Sequence, residues 1–244
     1  MIYFTSDTHY AHKNICKGVS NWENKESCRN FSTIEEMNDA IVNNINAVVK
    51  ENDVLYHLGD WSFGGIEKIW EFRKKLNCKN IHLILGNHDH HIARNSLIAI
   101  NQEEFIDGDA SRLEILYDSE VPYYNGKVWV PVRNLFSSVE YLNPKLNING
   151  KIFVLCHYAM RVWNESHRAA IMLYGHSHGT LDELSPKFTE PTWIGENYYI
   201  KNSKTMDVGI DAHPDFRPYS MSEIVDIMKY RDILFIDHHN ENTN

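Results

Sequence analysis

The sequence predicts an α/β protein built in layers, and three observations predict it. Short apolar runs rich in β-branched and aromatic residues recur along its 244 residues. Amphipathic stretches with a period of three or four residues lie between the first of these runs. The composition, 43% hydrophobic and 23% charged, is that of a globular domain. Runs that are apolar throughout, without alternation, suit strands buried on both faces of a sheet.

The elements follow in order. The first run, Ile2–Phe4, gives way to Ser6-Asp7-Thr8-His9. From Thr33 to Lys50, Ile34, Met37, Ile41, Ile45, Val48 and Val49 mark one helix face, with Thr33 and Glu36 placed to form a capping box. A second strand, Val54–Leu58, stops at Gly59-Asp60. Ile66, Ile69, Trp70 and Leu76 set out a second helix, and a third strand, Ile81–Leu85, stops at Gly86-Asn87-His88-Asp89. From about Leu113 to Asn149, prolines and glycines interrupt aromatic and β-branched residues. Hairpins or irregular strands are expected there, with Asn125-Gly126 as a tight turn. No linker divides the chain, so residues 1–244 read as one domain carrying a β-rich insertion or lid at about 113–149. Ile152–Cys156 stops at His157-Tyr158, Ile171–Tyr174 at Gly175-His176-Ser177-His178, and Met206–Ile210 at Asp211. Ser220 and Glu223 cap a third helix that turns Ile224, Ile227 and Met228 inward. A last run, Ile233–Ile236, precedes a polar tail expected to fray.

Composition removes several function classes. Lys and Arg number 24 against 33 Asp and Glu, a formal charge of −9 that opposes a long nucleic acid held by its phosphates. No apolar stretch nears the roughly 18 residues of a membrane helix. The first residues lack the basic start and apolar run of a signal peptide, so a cytoplasmic protein is expected. Cys16, Cys28, Cys78 and Cys156 form no CxxC pair and read as free thiols. The 14 histidines are many for this length.

Five apolar runs stop at a group holding Asp, His or Asn. In open α/β sheets, ligand sites collect beyond the carboxyl ends of strands. Such ends would gather Asp7, His9, Asp60, Asn87, His88, His157, His176 and His178. Imidazoles with carboxylate and amide oxygens suit divalent transition metals, and the set exceeds what one tetrahedral ion needs. A dinuclear centre with a shared carboxylate uses it better. Asp7-x-His9 and His176-x-His178 each place two donors on one side of a strand end, because side chains alternate. No HExxH helix offers a rival site.

The ordered set Asp7-x-His9, Gly59-Asp60, Gly86-Asn87-His88-Asp89, His157 and Gly175-His176-x-His178 resembles the calcineurin-like metallophosphoesterase superfamily. The resemblance spans Asp7 to His178. It implies a four-layer α-β-β-α sandwich of two mixed β-sheets with a dinuclear metal site at the strand ends. By that resemblance Asp7, His9 and His178 hold one ion, Asn87, His157 and His176 hold the second, and Asp60 bridges them. His88 would serve the leaving group, oriented by Asp89. The implied cofactors are two divalent ions, manganese first, with iron, nickel or zinc as alternatives. The implied reaction is phosphoester hydrolysis by a metal-bridging hydroxide. A phosphodiesterase on a nucleotide-like or cyclic nucleotide substrate is preferred over a phosphomonoesterase or phosphoprotein phosphatase. A non-catalytic scaffold is disfavoured, since no ligand is missing. One departure stands out: many members carry an Asp-Arg couple after the Gly-Asp pair, whereas Trp61-Ser62-Phe63-Gly64-Gly65 follows here.

Substrate contacts are less sharply marked. Tyr10, His12 and Asn14 follow the first motif and are expected near the metals. Tyr158, Arg161, Trp163 and His167 follow the ligand His157. Arg161 could clamp a phosphate and Trp163 could stack on a base, or they could be an ion-paired Arg and a core Trp. His90 and His91 could line the cleft rim, while His57 and His82 suit packing roles. Cys156 reads as a buried thiol facing away from His157.

Overall fold

Hydrogen bonding gathers the expected strands into two mixed sheets in the computed structural model, which describes residues 1–101, 123–181 and 203–233. In the first sheet β1 (Ile2–Thr5), β2 (Val54–His57) and β3 (Asn80–Ile84) run parallel. β7 (Ser138–Glu140) extends it parallel to β3, and β12 (Tyr219–Ser220) closes the other edge antiparallel to β1. In the second sheet β9 (Lys151–Cys156), β10 (Ile171–Tyr174) and β11 (Thr205–Asp207) are parallel, and β8 (Leu142–Ile148) lies antiparallel on β9. A small antiparallel sheet joins β4 (Leu97–Asn101), β6 (Lys127–Pro131) and β5 (Tyr123–Tyr124).

Successive residues of these strands face different cores, which is why the runs are apolar throughout. Tyr3, Leu55, Ile81 and Leu83 pack outward beneath α1 (Ile34–Val48) and α2 (Ile66–Lys75), against Met37, Ile41, Ile45, Ile69 and Phe72. Phe4, Leu58 and Ile84 pack inward against Phe153, Leu155, Leu173 and Met206 of the second sheet. Ile224 and Met228 of α4 (Met221–Met228) enter this same inter-sheet core. On the far face of the second sheet, Val154, Met172 and Tyr174 pack under Trp163 and Ala170. That cover comes from an irregular segment with one 3-10 turn, Ser166–Arg168; among the described residues no α-helix packs in this outer cluster. A further short helix, α3 (His90–Ala93), follows the third strand.

Several expectations need correction. Thr33 Oγ1 accepts from the Glu36 N–H, but Glu36 turns back to the Ser32 N–H, so the box at α1 is only half formed. Ser220 and Glu223 form the full box at α4. The strand expected over Met206–Ile210 ends at Asp207, and Ile210–Ala212 is a 3-10 turn. Where it is described, the segment at 113–149 supplies strands to all three sheets. Asn125-Gly126 does turn between β5 and β6, both residues at positive φ. However, Val128 and Val130 join the outer core, β7 extends the first sheet and β8 the second. Residues 113–122, 234–236 and the tail lie outside the described residues. No helix among the described residues is long and apolar enough to cross a membrane.

The cap of α4 is testable. Replacing Ser220 by Ala removes an acceptor for the Glu223 N–H, and thermal unfolding should show a loss of about 1 kcal/mol. The hydrogen bonds of Arg217 hold the Glu223 carboxyl down at about 2. A lowered folded-state value means stability that is complete above the ordinary carboxylate range and lost as pH falls toward 2. Glu223→Gln should therefore flatten the acid limb of a stability–pH curve between about pH 4.5 and 2, with little change in slope above it.

Candidate metal centre

The site forms where the parallel strands of both sheets end on the same side. Each end turns sharply. Asp7, His9, Asp60, His176 and His178 all adopt positive φ, between 46° and 67°. Gly86 and Gly175 let the ends close up, since a Cβ at either would collide with the carboxylate of Asp60 or Asp7. The two sheets are tied here by a bridge between Ser6 and Gly209 and by Ile210 N–H donating to the Ser6 carbonyl.

Two donor groups result. Asp7, His9 and His178 form one, Asp60, His157 and His176 the other, each within 4.8 Å internally. His9 Nε2 and His178 Nε2 lie 3.2 Å apart, each 3.8 Å from Asp7 Oδ1. In the second group Asn87 Oδ1 is 3.0 Å from His157 Nε2 and 3.1 Å from His176 Nδ1. Asp60 Oδ2 stands between the groups, 3.6 Å from His9 Nε2 and 3.6 Å from His157 Nε2.

The surroundings hold these groups rigidly. Asp89 Oδ2 accepts from the N–H groups of Asp60 and Gly86, and Oδ1 from that of Trp61. Asp89, the carboxylate expected to orient His88, thus braces the Asp60 turn. Burial pushes Asp89 up to about 6, against these three N–H donors. His57 is buried and held down at about 3 by desolvation, hence neutral. Its partners fix one arrangement: Thr8 Oγ1 donates to the Trp61 carbonyl, so His57 Nε2 donates to Thr8, and Nδ1 accepts from the Gly59 N–H. Asp207 accepts from Ser177 Oγ and from the N–H groups of Gly179 and Gly209, bracing the turn that carries His176 and His178.

Three supporting residues went unassigned at the level of sequence: Arg29, Asp207 and Asp211. The buried Arg29 guanidinium donates to the carbonyls of Asp7 and Thr8 and pairs with Asp211 through two nitrogens. Asp211 Oδ2 lies 2.7 Å from His178 Nδ1. Burial opposes charge on Asp211, but Arg29 and His178 prevail and hold its carboxyl well below the usual range. Burial likewise lowers His178, yet the hydrogen bond and charge of Asp211 raise it overall. This chain of Arg29, Asp211 and His178 fixes the imidazole with Nε2 toward Asp7, as carboxylate partners do for metal-binding histidines.

The donor set fits divalent cations. Asp7 Oδ1 is buried and has no hydrogen-bond partner, although buried polar atoms are nearly always satisfied. With only protein around it, burial pushes the Asp7 carboxyl up to about 7 and the His9 imidazole well down. A cation among these atoms would restore the carboxylate and use the neutral imidazole as a donor. Ligands about 2.1 Å from one ion lie roughly 3–3.4 Å from each other, close to the 3.0–3.8 Å separations here.

The model of the calcineurin-like phosphoesterase family matches residues 1–180. The chain belongs to that family. An uncharacterized protein of Methanocaldococcus jannaschii is 37% identical over 107 residues, 43% of this chain. The chain spans little more than half that relative's length, 56%. A crystal structure of an Aquifex aeolicus protein of unknown function covers 93% of this chain at 20% identity and a TM-score of 0.49, accounting for 98% of its own.

In this calcineurin-like phosphoesterase the residues expected at the rim divide. His88 is exposed, its N–H donating to Asp60 Oδ1 and its ring 5.5 Å from that of His9. Tyr158 is 48% exposed, its hydroxyl 3.4 Å from Asn87 Oδ1 and its ring 4.7 Å from His176. His12 is also close, its ring 5.5 Å from that of His9. Tyr10, by contrast, is buried, stacked on Phe72 and bonded to Glu71. Trp163 is 7% exposed and donates to the Ala170 carbonyl, so its indole belongs to the outer core and cannot stack on a base. Asn14 accepts from the Asn21 N–H in a surface loop. Arg161 is exposed and His167 half-buried on the segment after His157. Of the four cysteines, all unpaired, Cys156 is half-buried in the outer core, away from His157. His82 stacks on Tyr56 and bonds Ser138.

Removing Arg29 tests the support. Arg29→Met leaves Asp211 with His178 alone and removes the donor to the buried Asp7 and Thr8 carbonyls, at a cost of about 3–5 kcal/mol. Thermal unfolding should register that loss, and calorimetric titration should show weaker binding of Mn²⁺. An unchanged midpoint and affinity would remove Arg29 from the centre's support.

Proposed function

We propose that the chain is a phosphodiesterase dependent on two divalent metal ions, acting in the cytoplasm on a small nucleotide-like or cyclic nucleotide substrate. The position of Asp60 Oδ2, equally far from an imidazole nitrogen of each donor group, carries this reading. Asp7, His9 and His178 would hold one ion and Asn87, His157 and His176 the other, with Asp60 shared. Manganese is favoured, and iron, nickel or zinc suit the same nitrogen and oxygen donors. When bound, such a pair supplies a nucleophile at neutral pH and positive charge for the phosphoryl oxygens.

The chain's own residues do the rest. Asp89 keeps the Asp60 turn in place, and Asp211 keeps the His178 ring aimed. His88 holds a proton at an imidazole nitrogen on the cleft side and delivers it to the departing oxygen. The Tyr158 hydroxyl, with His12, Arg161 and His167 around the rim, contacts the substrate. A formal charge of −9 over the whole chain favours a small substrate over a long nucleic acid, and four unpaired cysteines suit a reducing compartment. A non-catalytic scaffold would have no use for a complete donor set.

The Mn²⁺-loaded protein should be compared on bis-p-nitrophenyl phosphate, p-nitrophenyl phosphate and 2′,3′-cyclic nucleotides. The diesters should turn over faster; a preference for the monoester would favour a phosphomonoesterase. Asp60→Asn should lower kcat by at least about 100-fold, as expected for loss of the shared ligand. Retained activity in that variant would exclude the dinuclear reading. His88→Ala should keep its metal and lose rate by about 10²–10⁴-fold, most for poor leaving groups. An equal loss for good and poor leaving groups would remove the proton-donor role.

A further inference from the structure

We infer that the segment replacing the family's usual Asp-Arg couple builds a pocket for a flat ring on the leaving group of the substrate. This rests on the phosphoesterase reading above. A cavity of about 270 Å³ opens beside His88, between the Trp61–Gly65 turn and the start of α3. A group that takes a proton from His88 must lie next to it, and this cavity has His88 in its wall.

Its walls are rings. Phe63 is 38% exposed and lines one side, and its orientation is fixed from behind by His12, edge-on at 4.1 Å. His88 meets Phe63 at 5.2 Å and closes the metal side. His90 and His91, with rings 4.2 Å apart, supply the opposite wall, and Ile69 contributes apolar surface. Flat faces and edges of this kind favour stacked or edge-on rings, worth about 0.5–1.5 kcal/mol per pair beyond buried area. A volume below the roughly 300–1,000 Å³ of sites that enclose a whole drug-sized ligand leaves room for one ring system. It does not accommodate a stretch of polypeptide. Ser62 also lines the cavity, and its Oγ is buried with no hydrogen-bond partner in the protein. The ring that fits should therefore carry a polar edge, as a nucleobase does and an unsubstituted aryl group does not.

Gly64 and Gly65 explain why the segment takes this course. Their φ values of 94° and 106° lie in the region that side chains rarely adopt, so the backbone turns beneath Phe63 only with glycine here. The same turn lets the Phe63 N–H donate to the Tyr10 carbonyl, which pins the aromatic wall to the loop carrying His9 and His12.

The test separates the pocket from the catalytic reading. Equilibrium dialysis of Mn²⁺-loaded protein against adenosine, phenol and glycerol measures ring binding directly. Adenosine should bind saturably, phenol more weakly and glycerol not at all. Phe63→Ala should weaken adenosine binding at least about tenfold, in line with stacking on one aromatic side chain, and Phe63→Tyr should restore it. Because Phe63 is exposed, circular dichroism should show both variants folded. Turnover of bis-p-nitrophenyl phosphate by the unaltered protein reports the phosphoesterase reading alone. Turnover without adenosine binding, or binding that Phe63→Ala leaves unchanged, overturns the pocket. Ring binding without turnover overturns the enzyme reading, and the leaving-group role with it.

Discussion

Two carboxylates withdrawn from water govern this structure. Asp7 is fully buried and Asp60 nearly so, and charge in such a place is costly unless it is paired or coordinated. Much of what surrounds them reads as an answer to that cost. Ser6 and the His176 N–H serve Asp7 Oδ2, and the His88 N–H serves Asp60 Oδ1. The remaining oxygens, Asp7 Oδ1 and Asp60 Oδ2, are those that face the imidazoles. The protein satisfies one side of each carboxylate and leaves the other to a cation. Arg29 is a fixed positive charge beside this arrangement, and its bonds run to the backbone carbonyls of Asp7 and Thr8 and to Asp211. It therefore stiffens the loop without neutralising the site.

The donor residues were legible in the sequence because two periodicities coincide there. A strand buried on both faces is an apolar run, and the polar group that follows it falls at the sheet edge. Asp7, Asp60, Asn87, His157 and His176 were all found by that rule. Asp211 followed a sixth apolar run and offered the same signal, but it had no place in the motif set. Arg29 offered none: it lies in an irregular loop, and two of its partners are carbonyl groups, which every residue possesses. Trp163 was ambiguous because an aromatic residue near a ligand stacks on a base or fills a core equally well. Only the Ala170 carbonyl decided it. β8 falls within the irregular strands expected at 113–149, but Pro144 and a polar, mostly exposed run blur its bounds. Pro is tolerated there because β8 is an edge strand with its register shifting between Asn143 and Leu146.

The charge balance also takes on a local meaning. A formal total of −9 would repel phosphate if spread evenly. Two divalent ions would offset four of those units within one cleft, where the low dielectric strengthens their pull. The rest of the surface would still discourage an extended polyanion. On the proposed reading, preference for a small phosphoester over a long nucleic acid would then rest on where charge sits.

The left-handed turns at Asp7, His9, Asp60, His176 and His178 have a cost in evolution as well as in geometry. Each non-glycine residue held at positive φ gives up on the order of 1 kcal/mol or more, and Asp and His are among the residues that bear it best. Five together forgo about as much free energy as the lower end of a domain's whole stability. A chain selected only to stay folded would gain by relaxing them to glycine or to ordinary strand exits. Of the twelve described non-glycine residues at positive φ, these five bring their side chains together at one site.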